Sequence, residues 1–229
     1  MCDASPTVIG FDVYGTLVDP LELNVPLRQL VGDQADRFAE LWRQKQIEYS
    51  FRRGLMRVYE DFNVCTAQAL KYTLLALGLE LSDADQCGLL EAYQRLAPFP
   101  DVLPGLQALN ALGIRLFAFS NGVEATVRSL LAHAGLAHKL EAVVSVDDVR
   151  TFKPDPEVYH YLARRTGTSA GATWLVSSNA WDVIGAQASG LRTAWIKRRI
   201  DAVYDPWGAK PDLVVDNLTE LAERLSEAR

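Results

Sequence analysis

Cysteine is scarce in this chain. Its 229 residues hold three, Cys2, Cys65 and Cys87, an odd number with no CxxC spacing. Neither a disulfide framework nor a cysteine zinc site is signalled, and a reducing, cytoplasmic setting is expected. Histidine is equally sparse. His133, His138 and His160 are too scattered for a metal cluster, and their polar, helix-like surroundings predict surface positions. No uninterrupted apolar stretch approaches the ~18 residues of a membrane span. Residues 1–6 carry neither the basic flank nor the apolar run of a secretory signal. Basic residues are outnumbered, 23 Lys and Arg against 29 Asp and Glu, for a net charge of −6. A chain of that sign is a poor non-specific partner for nucleic acid or an anionic membrane.

What is present is the balance of a globular protein. Hydrophobic residues make up 49% and charged residues 23%, which excludes a disordered or collagen-like chain. At a soft ~150 residues per domain, the length predicts one domain with a sizeable insertion, or one large and one small domain. The run 7–13 is apolar and rich in β-branched residues, and it stops at Tyr14-Gly15-Thr16. Such a run reads as a strand buried on both faces. Comparable runs recur at 114–120, 142–146, 173–177, 193–196 and 213–215. Helix-like segments lie between them: 124–134 before Gly135, 155–165 between Pro154 and Gly167, and 181–189 before Gly190. This alternation predicts an α/β fold, a parallel sheet with helices on both faces.

The stretch 20–98 breaks the alternation and reads as helix after helix. Phe51, Leu55, Val58, Tyr59 and Phe62 recur at helical spacing. Thr66 is placed to cap a segment carrying Leu70, Leu74 and Leu77, with Gly78 as its stop. Ser82 is placed to cap the next, which runs to Leu96. The expected organisation is therefore a core of residues 1–19 and 99–229, with a helical cap subdomain at 20–98. Ligands of open parallel sheets bind at the carboxyl ends of the strands. An insertion leaving the first strand there covers the crevice and can exclude water.

Polar residues collect at those strand ends. Asp12 ends the first run, and Ser120-Asn121-Gly122 ends the second. Lys153-Pro154 precedes a helix, and Ser177-Ser178-Asn179-Ala180-Trp181-Asp182 follows the fourth run. Each has an ordinary explanation as a turn, cap or surface residue. Their convergence on one edge points to a site.

Phe11-Asp12-Val13-Tyr14-Gly15-Thr16-Leu17, Ser120-Asn121-Gly122, Lys153-Pro154 and Asp182 resemble, in order and context, the four motifs of the haloacid dehalogenase superfamily. The resemblance covers nearly the whole chain. It implies a Rossmann-like core with a helical cap, and it makes Asp12 the nucleophile. Most superfamily members are Mg²⁺-dependent phosphatases, with a second Asp where this chain has Tyr14 and an acidic residue where it has Ser178. Without those carboxylates a hard divalent ion loses much of its ligand charge. A carboxylate, with a reference pKa of ~3.9, can still attack carbon and expel a stable anion such as halide.

Leu41-Trp42-Arg43-Gln44-Lys45-Gln46, Arg95-Leu96-Ala97-Pro98-Phe99 and the 177–182 string resemble the (S)-2-haloacid dehalogenases in particular. That resemblance implies hydrolysis of short (S)-2-haloalkanoic acids to (R)-2-hydroxy acids through an aspartyl ester, with no metal and no cofactor. It implies that Arg43 and Asn121 cradle the departing halide, while Ser120 and the backbone from Val13 onward hold the substrate carboxylate. Lys153, Tyr159 and Ser177 position and balance Asp12. Thr16, Asn179 and Asp182 support the site and the hydrolytic water. Tyr14, Gln44, Phe62 and Trp181 line the pocket. The implied partners are the haloacid, the halide and a second copy in a homodimer.

Several residues keep a plainer alternative. Arg43 can pair with Glu40 on an exposed helix face. Tyr159 can simply pack beside Leu162, Phe62 and Trp181 can be core, and Asp182 suits any helix start. A Mg²⁺-dependent phosphatase and a non-catalytic binding protein are the rival functions. Phe51 stands where related enzymes often have Trp, which bears on pocket shape. Halogen and chain-length preference stay open.

Overall fold

A computed structural model describes residues 8–227. Cys2, Thr7 and the segment 1–6, on which expectations above rest, lie outside them. β1 (Val8–Phe11), β2 (Arg115–Ser120), β3 (Ala142–Ser145), β4 (Thr173–Ser177), β5 (Arg192–Ile196) and β6 (Leu213–Val215) form one sheet. All pairings are parallel, and the order is β3-β2-β1-β4-β5-β6. Every residue of β1 and β4 is buried, the pattern of strands covered on both faces. Around the sheet run α5 (Val102–Ala111), α6 (Glu124–His133), α7 (Pro156–Thr166), α8 (Ala180–Ala188) and α9 (Leu218–Glu227). The fold is the expected Rossmann-like α/β architecture. The register sets Phe11 level with Ala118 of β2 and Val176 of β4. Asp12, Ser120 and Ser177 therefore leave the sheet side by side, where the strand order reverses and such sheets open a crevice.

Between β1 and α5 come four more helices, α1 (Asn24–Val31), α2 (Ala35–Met56), α3 (Phe62–Leu77) and α4 (Asp83–Tyr93). The outgoing and returning chains run side by side. Asp19 N–H donates to Ala97 O at 3.0 Å, and Phe99 N–H donates to Leu17 O at 3.1 Å. In α2 the buried Phe38, Trp42, Gln46 and Ser50 recur every fourth residue, so one stripe faces inward. The Trp42 indole N–H donates to Thr66 O at 3.0 Å, pinning α2 to α3.

Local details depart from expectation. Val58 and Tyr59 do not continue a helix with Phe51 and Leu55. α2 stops at Arg57, which adopts the left-handed conformation, and Leu55 and Val58 are exposed. Tyr59 instead stacks on Phe152 with ring centroids 4.9 Å apart and donates to Asp147 Oδ1 at 2.7 Å. Thr66 caps nothing. Asp61 is the cap of α3, accepting from the Asn63 and Val64 N–H groups, and the buried Thr66 hydroxyl donates to Phe62 O one turn back. Gly78 and Ser82 punctuate α3 and α4 as expected, but α4 ends at Tyr93, short of Leu96. α5 and α9 lie outside the helical segments foreseen. All three histidines are exposed.

Candidate active site

β1 delivers Asp12 to the crevice. The Asp12 N–H extends the ladder by donating to Val176 O at 2.9 Å, and the chain then turns through Tyr14-Gly15-Thr16. Gly15 sits at φ +85°, where a side chain is strained. Its carbonyl accepts from the Ser178 hydroxyl at 2.6 Å, which locks the turn. Asp12 is buried, only 7% exposed, and its two carboxylate oxygens differ. Oδ2 accepts from Asn179 Nδ2 at 2.8 Å, Thr16 Oγ1 at 2.9 Å and Ser177 Oγ at 3.4 Å. Oδ1 accepts from Lys153 Nζ at 3.1 Å. Among the described residues, Lys153 is its one hydrogen-bond donor.

Lys153 is buried, and its ammonium has three acceptors. These are Asp12, Asp182 Oδ2 at 2.9 Å and Phe119 O at 3.0 Å. Burial pushes the ammonium pKa down, but the charges of Asp12 and Asp182 outweigh it and hold the pKa above the ordinary lysine value. Asp182 is fully buried. Desolvation raises its carboxyl pKa, while Lys153 and the Tyr159 hydroxyl, donating to Oδ1 at 2.8 Å, pull the other way. Burial and then Asp182 raise the Tyr159 phenol, so it stays a donor. Gly185 permits this contact. A Cβ there would lie 2.6 Å from the Tyr159 hydroxyl, so only glycine lets α8 approach. Both oxygens of Asp182 are thus occupied, and its influence runs through Lys153.

On the other side of Asp12, the Ser120 hydroxyl accepts from Gly122 N–H at 3.0 Å, which leaves its proton to donate. Asn121 Oδ1 accepts from Lys153 N–H at 3.0 Å, which leaves Nδ2 as a donor. Arg43 turns inward, not toward Glu40. Its guanidinium donates to Tyr14 O and to the Tyr93 hydroxyl, both at 3.2 Å. Tyr14 is buried and stacks on Tyr93 with centroids 5.1 Å apart. Burial, then Tyr93, raises the Tyr14 phenol pKa, so it stays neutral. Phe62 lies 6.1 Å from Tyr14, and Trp181 meets Phe51 edge-on at 5.0 Å. Gln44 is exposed at the rim of a cavity of about 490 Å³ that Arg43, Ser178 and Asn179 also line. A second cavity, about 80 Å³, lies against Tyr14, Phe62 and Tyr93. Asp12 lines neither of these two, but its hydrogen-bond partner Asn179 lines the first.

The structure thus gathers Thr16, Lys153, Ser177 and Asn179 directly onto Asp12, with Asp182 and Tyr159 behind Lys153. Arg43, Ser120 and Asn121 border it, while Gln44 stands farthest out. Sequence reasoning missed Tyr93, Gln46 and Arg198. Gln46 falls one helical turn after Arg43, a signal that was available. Arg198 donates twice to Thr16 O and once to Asp101, clamping the turn after Asp12 from the loop beyond β5.

A carboxylate held at the end of the first strand of a parallel sheet, beside a buried lysine and under a helical layer, is the centre of a hydrolase site. The profile of the haloacid dehalogenase-like hydrolases matches residues 6–190. An (S)-2-haloacid dehalogenase of Pseudomonas sp. (strain YL) is 37% identical over 96% of this chain and 94% of its own length. One from Pseudomonas putida is 36% identical over 95% of each chain. The solved L-2-haloacid dehalogenase of Xanthobacter autotrophicus, with chloropropionic acid covalently bound, superposes with a TM-score of 0.88 at 32% identity, over 96% of this chain and 98% of that one. The chain belongs to the (S)-2-haloacid dehalogenase family of the haloacid dehalogenase-like hydrolases.

Proposed function

We propose that this protein hydrolyses short (S)-2-haloalkanoic acids to (R)-2-hydroxy acids and halide through an ester on Asp12. The observation that carries the reading is the asymmetry of the Asp12 carboxylate. Oδ2 is gripped by three donors, whereas Oδ1 has Lys153 and keeps electron density for attack. Oδ1 attacks C2 in line, the carbon–halogen bond breaks, and the halide leaves with its electron pair, inverting the centre. Ser120 and the backbone after Asp12 hold the substrate carboxylate. Arg43 and Asn121 receive the halide. Water then adds to the ester carbonyl carbon. The negative charge that develops on Oδ2 meets Thr16 and Asn179 already in place, an arrangement that stabilises a tetrahedral intermediate. Release of the hydroxy acid and a proton restores Asp12.

The donor set does not suit magnesium. The second carboxylate, Asp182, spends both oxygens on Lys153 and Tyr159, and an ammonium already sits on Asp12. Ser178 and Tyr14 bring no charge. The expected result is halide release from chloroacetate, bromoacetate and (S)-2-chloropropionate at rates unchanged by EDTA, with the (R) enantiomer far slower. Ion chromatography of the products checks this. Hydrolysis of an aryl phosphate that EDTA abolishes, with the haloacids left intact, would reinstate the phosphatase reading.

Residues 20–98 act in this reading as the cap that closes the crevice to bulk solvent while the hydrolytic water stays inside. The setting is cytoplasmic, in keeping with the free Cys65 and Cys87. The working form is a homodimer, for which the exposed Tyr72 and Leu75 of α3 offer apolar surface. Light scattering on the eluting protein is expected to give twice the chain mass of 25.4 kDa.

A further inference from the structure

Arg43 is borne on an α2 side chain with several rotatable bonds, yet a halide cradle works only if the cation stands ready at one place. Two buried polar residues with no role in the reaction so far account for that. The Tyr93 hydroxyl accepts from Arg43 Nη1 at 3.2 Å and donates to Gln46 Oε1 at 3.0 Å. Gln46 is fully buried and Tyr93 is 5% exposed. The Tyr93 ring is held by stacking on Tyr14, at 5.1 Å and 20° between planes, and by Trp42 at 5.6 Å. Gln46 lies on α2 one turn beyond Arg43, on the inward stripe, so it reaches the hydroxyl from the same helix. The second grip on the guanidinium is Tyr14 O, in the turn after Asp12.

Polar groups this deep in an aromatic cluster are costly to bury unless they make a needed bond. A leucine at 46 and a phenylalanine at 93 would fill the same space. We propose that Tyr93, braced by Gln46, is a positioning residue that fixes the Arg43 guanidinium to receive the departing halide. Tyr93 thereby sets how well poor leaving groups are expelled. This rests on the dehalogenase reading above. A poorer leaving group has a later transition state with more charge on the halogen, so it depends more on a preset cation. Loosening Arg43 therefore slows chloride departure more than bromide departure.

The test is rapid-quench measurement of ester formation on Asp12 in the full-length protein, with chloroacetate and bromoacetate, for the parent, Tyr93→Phe and Gln46→Leu. Tyr93→Phe keeps the ring stack and removes one oxygen. The expected result is a fall of about tenfold with chloroacetate, below the ~10²-fold of a fully misplaced group because Tyr14 O still holds Arg43. The fall with bromoacetate is smaller, so the bromide-to-chloride rate ratio rises. Gln46→Leu leaves the hydroxyl able to accept from Arg43 and shifts the ratio the same way by less, and it decides the matter should Tyr93→Phe not fold. A lowered melting temperature with both ratios unchanged overturns the proposal while the dehalogenase reading stands. A parent protein that forms no ester with either acid overturns both.

Discussion

Replacing Asp12 by asparagine is expected to lower halide release by more than about 10³-fold, because an amide oxygen cannot form the carbon–oxygen bond that expels halide. The fold should survive. Lys153 keeps Asp182 and Phe119 O as acceptors. The cost falls on Oδ2, where Thr16, Ser177 and Asn179 all donate and an amide nitrogen cannot accept. A mismatch of that kind costs about 1–3 kcal/mol, within the margin of a chain this size. Circular dichroism should therefore be unchanged while turnover disappears. The same step gives an isotopic signature in the parent protein. In ¹⁸O water a single turnover should place label in Asp12 and none in the product hydroxyl, since that oxygen comes from Oδ1. Peptide mass spectrometry reads this directly. Label in the product and not in residue 12 would mean that water attacks carbon itself, and the ester would have to be abandoned.

The parts of this site that could be read from the sequence are those where chemistry interrupts a hydrophobic pattern. Asp12, Ser120 and Ser177 each end an apolar run, so strand periodicity alone places them on one sheet edge. Lys153 is different. Nothing local shows that it is buried between two carboxylates, because its partners lie 29 and 141 residues away. Tyr93 and Gln46 are less legible still. A tyrosine and a glutamine on helices read as core and surface, and only tertiary packing joins them to Arg43. The helix boundaries failed for a related reason. Apolar spacing carries straight through Arg57, but Tyr59 is used to dock on Phe152 and Asp147, not to continue α2. At Thr66 two capping residues compete, and Asp61 takes the free N–H groups while the threonine hydroxyl bonds back to its own helix.

Lys153 is where stability and catalysis meet, and Lys153→Met should damage both. The methionine roughly matches the volume but leaves Asp12 and Asp182 buried together with no cation. Removing one partner from a buried ion pair costs about 3–5 kcal/mol. The pH dependence separates this from a packing fault. In the parent, the lysine pKa is raised on folding. Its contribution is fully present below the ordinary lysine range and is lost only as pH climbs through the folded value. The Asp182 pKa is also raised on folding, by burial, with Lys153 opposing the rise. A raised acid binds its proton more tightly in the folded state, so stability falls as pH rises from the ordinary carboxylate range through the folded value. Without Lys153 only the Tyr159 hydroxyl opposes that rise, while the Asp12 charge adds to it, and the fall extends to higher pH. Urea titrations at pH 5 and pH 8 are therefore expected to show a wider gap between parent and variant at pH 8. Halide release should drop by more than about 10³-fold at both, because Oδ1 loses the one donor that orients it. A stability gap of the same size at both pH values would mean that the ammonium merely fills space, and Asp12 would then need another source of its orientation.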